Sequence, residues 1–174
     1  MDAIYLNMTK AFDTVDHQLL LIKLQSAGIG KRMIKWIESY LLERYQVVQI
    51  RRFYSDSFKV TSGVAQGSRL VPLLFAVFIN DIVKVVEHCT MELFADDIRL
   101  SLIISSNDDM VKLQQDLDKV IEWIDENKLS VNGRKCQKIT FNRKTKNLET
   151  EYKINGIIVK QVERVRDLGI ILDN

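Results

Sequence analysis

Two apolar, β-like runs at 91–94 and 98–104 are separated only by Ala95, Asp96 and Asp97. So short a connection predicts an antiparallel hairpin with an acidic pair at its tight turn, because parallel strands need a crossover of a dozen or more residues. Apolar strands hold such a turn rigidly, and rigidly held carboxylates are what a divalent cation requires. An isolated Asp-Asp pair is also ordinary turn chemistry. The pair therefore gains its meaning from the rest of the chain.

The length of 174 residues suits one domain, and 47% hydrophobic with 28% charged residues describes a packed chain rather than a disordered one. A net charge of +2 is compatible with nucleic acid without demanding it. Cys89 and Cys136 stand far apart, and His17 and His88 are the only histidines. This argues against a disulfide framework and a Cys/His zinc site, and for a reducing compartment. The longest apolar run, 71–79, is too short to cross a membrane before Asn80, Asp81 and Lys84. Residues 1–6 lack a signal peptide's basic start and begin almost directly in a strand-like run, so the chain is expected to start mid-domain.

Strands are predicted at 4–8, 45–53, 58–61, 136–142 and 165–172, with Ser55-Asp56 as the turn between the second and third. Asn155-Gly156 predicts a type I′ hairpin joining 152–154 to 157–159. Helices are predicted at 15–27 (ended by Gly28), at 31–44, and at 70–87 with Pro72 in its first turn. A further helix carries Met110, Leu113, Leu117, Val120, Ile121 and Ile124 on one face, with Asn107 as its cap. Residues 62–68 and the basic 143–149 read as loops. Trp36 and Trp123 are expected to pack. Lys31-Arg32, Arg51-Arg52 and Arg143-Lys144-Thr145-Lys146 are small basic clusters, most simply solvated faces that are able to touch phosphate. The pattern predicts one α+β domain with an antiparallel sheet and helices mainly on one face.

Several segments, taken in order, resemble one family. Leu6-Asn7-Met8-Thr9-Lys10-Ala11-Phe12-Asp13-Thr14-Val15-Asp16-His17 looks like the first palm motif of non-LTR (LINE-type) retrotransposon reverse transcriptases. Ser62-Gly63-Val64-Ala65-Gln66-Gly67-Ser68, running on through Pro72-Leu73-Leu74-Phe75 to Ile79-Asn80-Asp81, looks like the second. Phe94-Ala95-Asp96-Asp97 is similar to the metal-binding turn. Leu129-Ser130-Val131-Asn132 with Lys135, and Asp167-Leu168-Gly169-Ile170, resemble the two later motifs. The likeness covers nearly the whole chain, and jockey-like animal elements are the group it most resembles.

That resemblance implies a ferredoxin-like split βαβ palm occupying 1–174, with fingers and thumb expected to be missing. It implies RNA-templated DNA synthesis from a DNA primer and deoxynucleoside triphosphates, with magnesium or manganese, in the cytoplasm and nucleus. By the same likeness Asp96 and Asp97 bind metal. Phe12 packs under the incoming sugar, Gln66 and Gly67 shape the nucleotide pocket, and Lys135 approaches the triphosphate. Leu168 and Gly169 belong to a hairpin gripping the primer terminus.

The chain also departs from the family. Asn7 stands where the family carries a metal-binding Asp, and an amide offers a carbonyl oxygen but no charge to bridge two cations. Asp13 and Asp2 are not clear substitutes. Ala65 replaces a usual Pro, Val71 a usual Gly and Arg69 a usual apolar residue. The expectation is weak metal binding and little or no activity, with a non-catalytic nucleic-acid-binding remnant as the alternative.

Overall fold

A computed structural model describes residues 1–141 and 150–173. The basic loop predicted at 143–149, its Arg143–Lys146 cluster and the last residue of the strand predicted at 136–142 lie outside the described residues. In chain order the elements are β1 (Asp2–Asn7), α1 (Ala11–Thr14), α2 (His17–Ser26), α3 (Lys31–Leu41), β2 (Tyr45–Gln46), β3 (Gln49–Ile50), β4 (Phe53–Tyr54), β5 (Phe58–Lys59) and α4 (Val71–Ile79). A 3-10 turn at Asn80–Val85 follows, then β6 (Thr90–Phe94), β7 (Asp97–Leu102), α5 (Asn107–Glu126) and β8 (Gln137–Thr140). The chain closes with β9 (Lys153–Ile154), β10 (Ile157–Ile158), β11 (Lys160–Gln161), β12 (Arg164–Asp167) and β13 (Ile170–Asp173). They form two compact units, one of Met1–Thr9 with Asp81–Asn174 and one of Lys10–Asn80.

The first unit is built on a five-stranded sheet in the order β11-β8-β1-β7-β6. β1 is central and pairs antiparallel with β7 over its whole length and with β8 on its other edge. Only the β11–β8 pairing is parallel among the described strands of this sheet. α5 packs against β7 and β9. Leu113, Leu117, Val120 and Ile124 recur at helical spacing and are fully buried, each contributing on the order of 2 kcal/mol.

The cap of α5 is Ser106 rather than Asn107. The Ser106 hydroxyl accepts the Asp109 N–H while the Asp109 carboxylate accepts the Ser106 N–H, a capping box that satisfies two end donors at once. The chain leading into β6 is pinned by Asp116, which is wholly buried. Its carboxylate accepts the backbone N–H groups of Glu87, His88 and Cys89. Burial alone raises the Asp116 pKa, but these amides overcome it and hold the carboxyl below its ordinary value. Asp2 is buried at the far end of β1 from Asn7 and accepts the Tyr152 hydroxyl at 2.8 Å. It is thus committed to the core.

The second unit packs α2 against α3 and α4. The helix predicted at 15–27 is α2, which begins two residues later at His17 because Val15 is non-helical and Asp16 is the cap, accepting the Leu19 N–H at 2.9 Å; the short α1 before it was not predicted. α3 stops at Leu41, three residues short of the prediction. The helix predicted at 70–87 is α4 followed by the 3-10 turn, with Pro72 in the first turn of α4 as expected. Residues 45–59 form a ribbon, β2 with β5 and β3 with β4, whose turn is Arg51-Arg52 rather than Ser55-Asp56. Trp123 is buried as expected, but Trp36 is 54% exposed and stacks on Tyr40.

Candidate functional site

In the first unit, the register of β1 and β7 sets Asn7 directly opposite Asp97, and the register of β6 and β7 sets Phe94 opposite the same Asp97. Ala95 takes φ 53 to close the tight turn, so Asp96 lies at the turn and Asp97 is the first residue of β7. The hairpin predicted from sequence is therefore present, and it brings Asn7 beside it. The Asp97 pKa is raised, first because neighbouring atoms strip its carboxyl of water and then by the negative charges of Asp96 and Asp167.

Asn7, Asp97 and Lys135 line one cleft of about 390 Å³ together with Arg99, Asp167 and Leu168. Lys135 is drawn in because the segment before it is laced to the end of β1. Met8 bridges Val131, the Thr9 N–H donates to the Ser130 carbonyl at 2.8 Å, and the Asn132 N–H donates to the Asn7 carbonyl at 2.9 Å. The strand predicted at 165–172 is a hairpin: β12 and β13 pair antiparallel about Leu168 (φ 46) and Gly169 (φ 89).

Arg99 organises the cleft, and its role was not foreseen from sequence. Its guanidinium donates to Asp167 at 2.9 Å, forms an ion pair with Glu92, and lies over the Tyr5 ring at 5.9 Å. Asp167, one residue before the Leu168-Gly169 turn, is thereby tied to the strand that begins at Asp97. A signal existed: Arg99 is a lone cation inside the apolar run 98–104.

A paired divalent site requires carboxylates from separate strands that bridge two cations. Here the residue facing Asp97 from β1 is an amide, and the additional carboxylate near Asp97, Asp167, is engaged by Arg99. Among the described residues no group of three His, Cys, Asp or Glu side chains is arranged to hold a metal ion. Asp96, Asp97 and the Asn7 carbonyl do not fit a bridged pair.

The remaining predicted residues lie in the second unit. Phe12 packs on Phe75 with ring centroids 4.3 Å apart. The loop 62–67 folds onto the Phe12 segment. The Val64 N–H donates to the Phe12 carbonyl at 2.9 Å, the Gly63 N–H to the Val15 carbonyl at 2.8 Å, and His17 Nε2 to the Gly63 carbonyl at 2.7 Å. Gly63 has φ +81, and a Cβ there would sit 2.5 Å from the Asp13 carbonyl oxygen, so only glycine fits. Gln66 Nε2 donates to the Asp13 carboxylate at 2.8 Å, and Gly67 takes φ +91 with open space around it. Phe12 and Gln66 are thus brought together within one unit.

Residues 3–172 match the family model described as reverse transcriptase (RNA-dependent DNA polymerase). The chain is 31% identical over 183 residues to a probable RNA-directed DNA polymerase from transposon BS of Drosophila melanogaster, covering 99% of this chain and 20% of that protein. It is 27% identical over 180 residues to the RNA-directed DNA polymerase from mobile element jockey of the same organism, covering 97% of this chain and 19% of that protein. The chain thus spans about a fifth of the curated relatives it matches. Among solved structures, apo telomerase from Candida tropicalis, truncated from its C-terminal domain, aligns with a TM-score of 0.62 at 17% identity, covering 99% of this chain and 35% of that one. That likeness shows a shared mixed α/β fold.

Proposed function

The chain belongs to the reverse transcriptase (RNA-dependent DNA polymerase) family, and from that premise we propose that it is the palm domain of a non-LTR retrotransposon polymerase whose metal site has decayed. What supports a ferredoxin-like palm is the strand order β8-β1-β7-β6 with α5 joining β7 to β8. The single observation that carries the site is the cross-strand pairing of Asn7 with Asp97 beside the Asp96 turn.

In this reading Asp96 and Asp97 are the remaining carboxylates of an ancestral magnesium or manganese site, able to hold a cation only weakly, and Asn7 marks the degenerate ligand position. In an intact site of this kind, a metal pair would supply charge compensation for nucleotidyl transfer. Phe12 packs beneath the incoming sugar and leaves no room for a 2′-hydroxyl. Gln66, held by Asp13, and Gly67 shape the nucleotide pocket. Lys135 offers its ammonium to the triphosphate, and Leu168 with Gly169 supports the primer terminus. The partners are an RNA template, a DNA primer and deoxynucleoside triphosphates.

Loss of one unit charge at about 4 Å costs on the order of 4 kcal/mol at an effective dielectric near 20. That is roughly a thousandfold in rate. The chain is therefore a weak metal binder with little or no polymerase activity of its own. Binding of nucleic acid without synthesis is the second reading, and Asn7 is the residue that favours it.

The test is manganese titration followed by its paramagnetic signal, in the parent chain and in Asn7→Asp. The parent should bind weakly and the variant at least tenfold more tightly. Because the Asp97 pKa is raised, a proton competes with the cation, so binding should strengthen as pH rises through and above the ordinary carboxylate range. Tight paired binding by the parent, unchanged in the variant, would overturn the account of Asn7. Primer extension gained only by Asn7→Asp would identify the amide as the lesion.

A further inference from the structure

Every residue from Tyr45 to Lys59 is exposed, although the segment is apolar and aromatic. Tyr45, Phe53 and Tyr54 are 64%, 67% and 65% exposed. Rings left this far in water contribute little to the fold, so folding gives no reason for their presence. Their neighbours are cationic: between 44 and 59 stand four basic residues, Arg44, Arg51, Arg52 and Lys59, against one acid, Asp56.

The ribbon's register turns this composition into a pattern. At its base, β2 and β5 set Tyr45 directly opposite Lys59, so ring and ammonium share a face. At its tip, Arg51 takes φ 56 and the turn projects Arg51 and Arg52 beyond the last pair, Ile50 with Phe53. The Arg52 guanidinium lies 5.6 Å from the Phe53 ring. An exposed ring beside a cation thus occurs at both ends of a ribbon at most about 20 Å long. Alternating rings and cations are what a single strand of nucleic acid needs: bases stack on the rings and phosphates meet the cations.

We propose that the ribbon 45–59 docks a single strand of nucleic acid, by base stacking on Tyr45 and Phe53 and phosphate contact at Arg51, Arg52 and Lys59. The inference rests on the nucleic-acid reading above but uses none of the metal-site residues. A second copy of the chain is a poorer occupant, because two ribbons each carrying an excess of two positive charges repel. Duplex is also a poorer occupant, because its bases are already stacked on one another.

The test is fluorescence anisotropy of labelled oligouridine, oligothymidine and a duplex over a salt series, using the full chain and three variants. Tyr45→Ala with Phe53→Ala should weaken single-strand binding at least about tenfold and leave the salt slope unchanged. Arg51→Ala with Arg52→Ala should also weaken it and reduce the slope by about 1.4, the value for two phosphate contacts on a single strand. Lys112→Ala on α5 should change neither. The uridine and thymidine arms separate an RNA occupant from a DNA one. All four ribbon positions are exposed, and unchanged circular dichroism would verify the fold.

Parent binding that no ribbon variant weakens overturns this inference while the reverse transcriptase reading stands. Parent binding of duplex as tightly as of single strand overturns the stacking. No nucleic-acid binding by the parent at all overturns both. Loss of self-association rather than of binding, seen by sedimentation, would assign the ribbon to a second copy instead.

Discussion

The two units of this chain carry opposite charge and opposite kinds of surface. Lys10–Asn80 holds ten basic against five acidic residues, a net of +5, whereas the remainder holds 15 against 18, a net of −3. The acidic unit has a continuous sheet whose central strand is mostly buried and which carries Asp96 and Asp97 at one end of its strands. The basic unit has only two-residue strands, all exposed. Rigidity is concentrated where carboxylates must be held against one another, and attraction for phosphate where the surface is open. The mild overall charge of +2 conceals both.

That contrast can be broken by perturbing one unit at a time. The largest effect is expected from Gly63→Ala, which forces a Cβ against the Asp13 carbonyl at a positive φ. It should destabilise the basic unit by on the order of 4 kcal/mol. Hydrogen exchange should show the loss in Lys10–Asn80, and loss confined to the acidic unit would refute the assignment.

Asp116→Ala acts on the other unit. It strands the amides of Glu87, His88 and Cys89, at about 3 kcal/mol in urea unfolding. The Asp116 pKa is depressed in the fold, so its contribution is present above the unfolded value near 3.9 and disappears as pH falls through the folded one. The parent should lose stability on acidification more steeply than the variant. Parallel pH profiles would exclude that role.

Arg99→Met should cost about 2 kcal/mol, because Asp167 and Glu92 lose their cation. Exchange should rise in β12 and β13 first, and protection there unchanged would mean that the hairpin needs no such tie. The smallest effect is expected from Ser106→Ala, about 1 kcal/mol through the lost cap of α5. A change below measurement would show the capping box to be dispensable there.

Local chemistry made much of this legible. The acidic hairpin, the apolar face of α5, the Asn155-Gly156 turn and Pro72 at the start of α4 each depend on residues within a few positions, which is the range that propensity and periodicity can read. The same short range explains the misjudged boundaries. Asp16 and Ser106 outcompeted Val15 and Asn107 as helix starts because each cap accepts a particular backbone N–H, which periodicity does not encode. Trp36 was expected to pack because tryptophan usually does, but whether a helix face is covered depends on the surrounding chain.

The amino-acid order alone determined that an acidic turn would be held between two strands, that position 7 lacks a carboxylate, and which family the motifs resemble. Only the folded chain decided that Asn7 faces Asp97, that Arg99 ties Asp167 into the same cleft, and that the aromatic ribbon lies bare. The physical reason is that strand register and burial are set by partners far along the chain. They emerge from the joint packing of all elements, and no local window contains them.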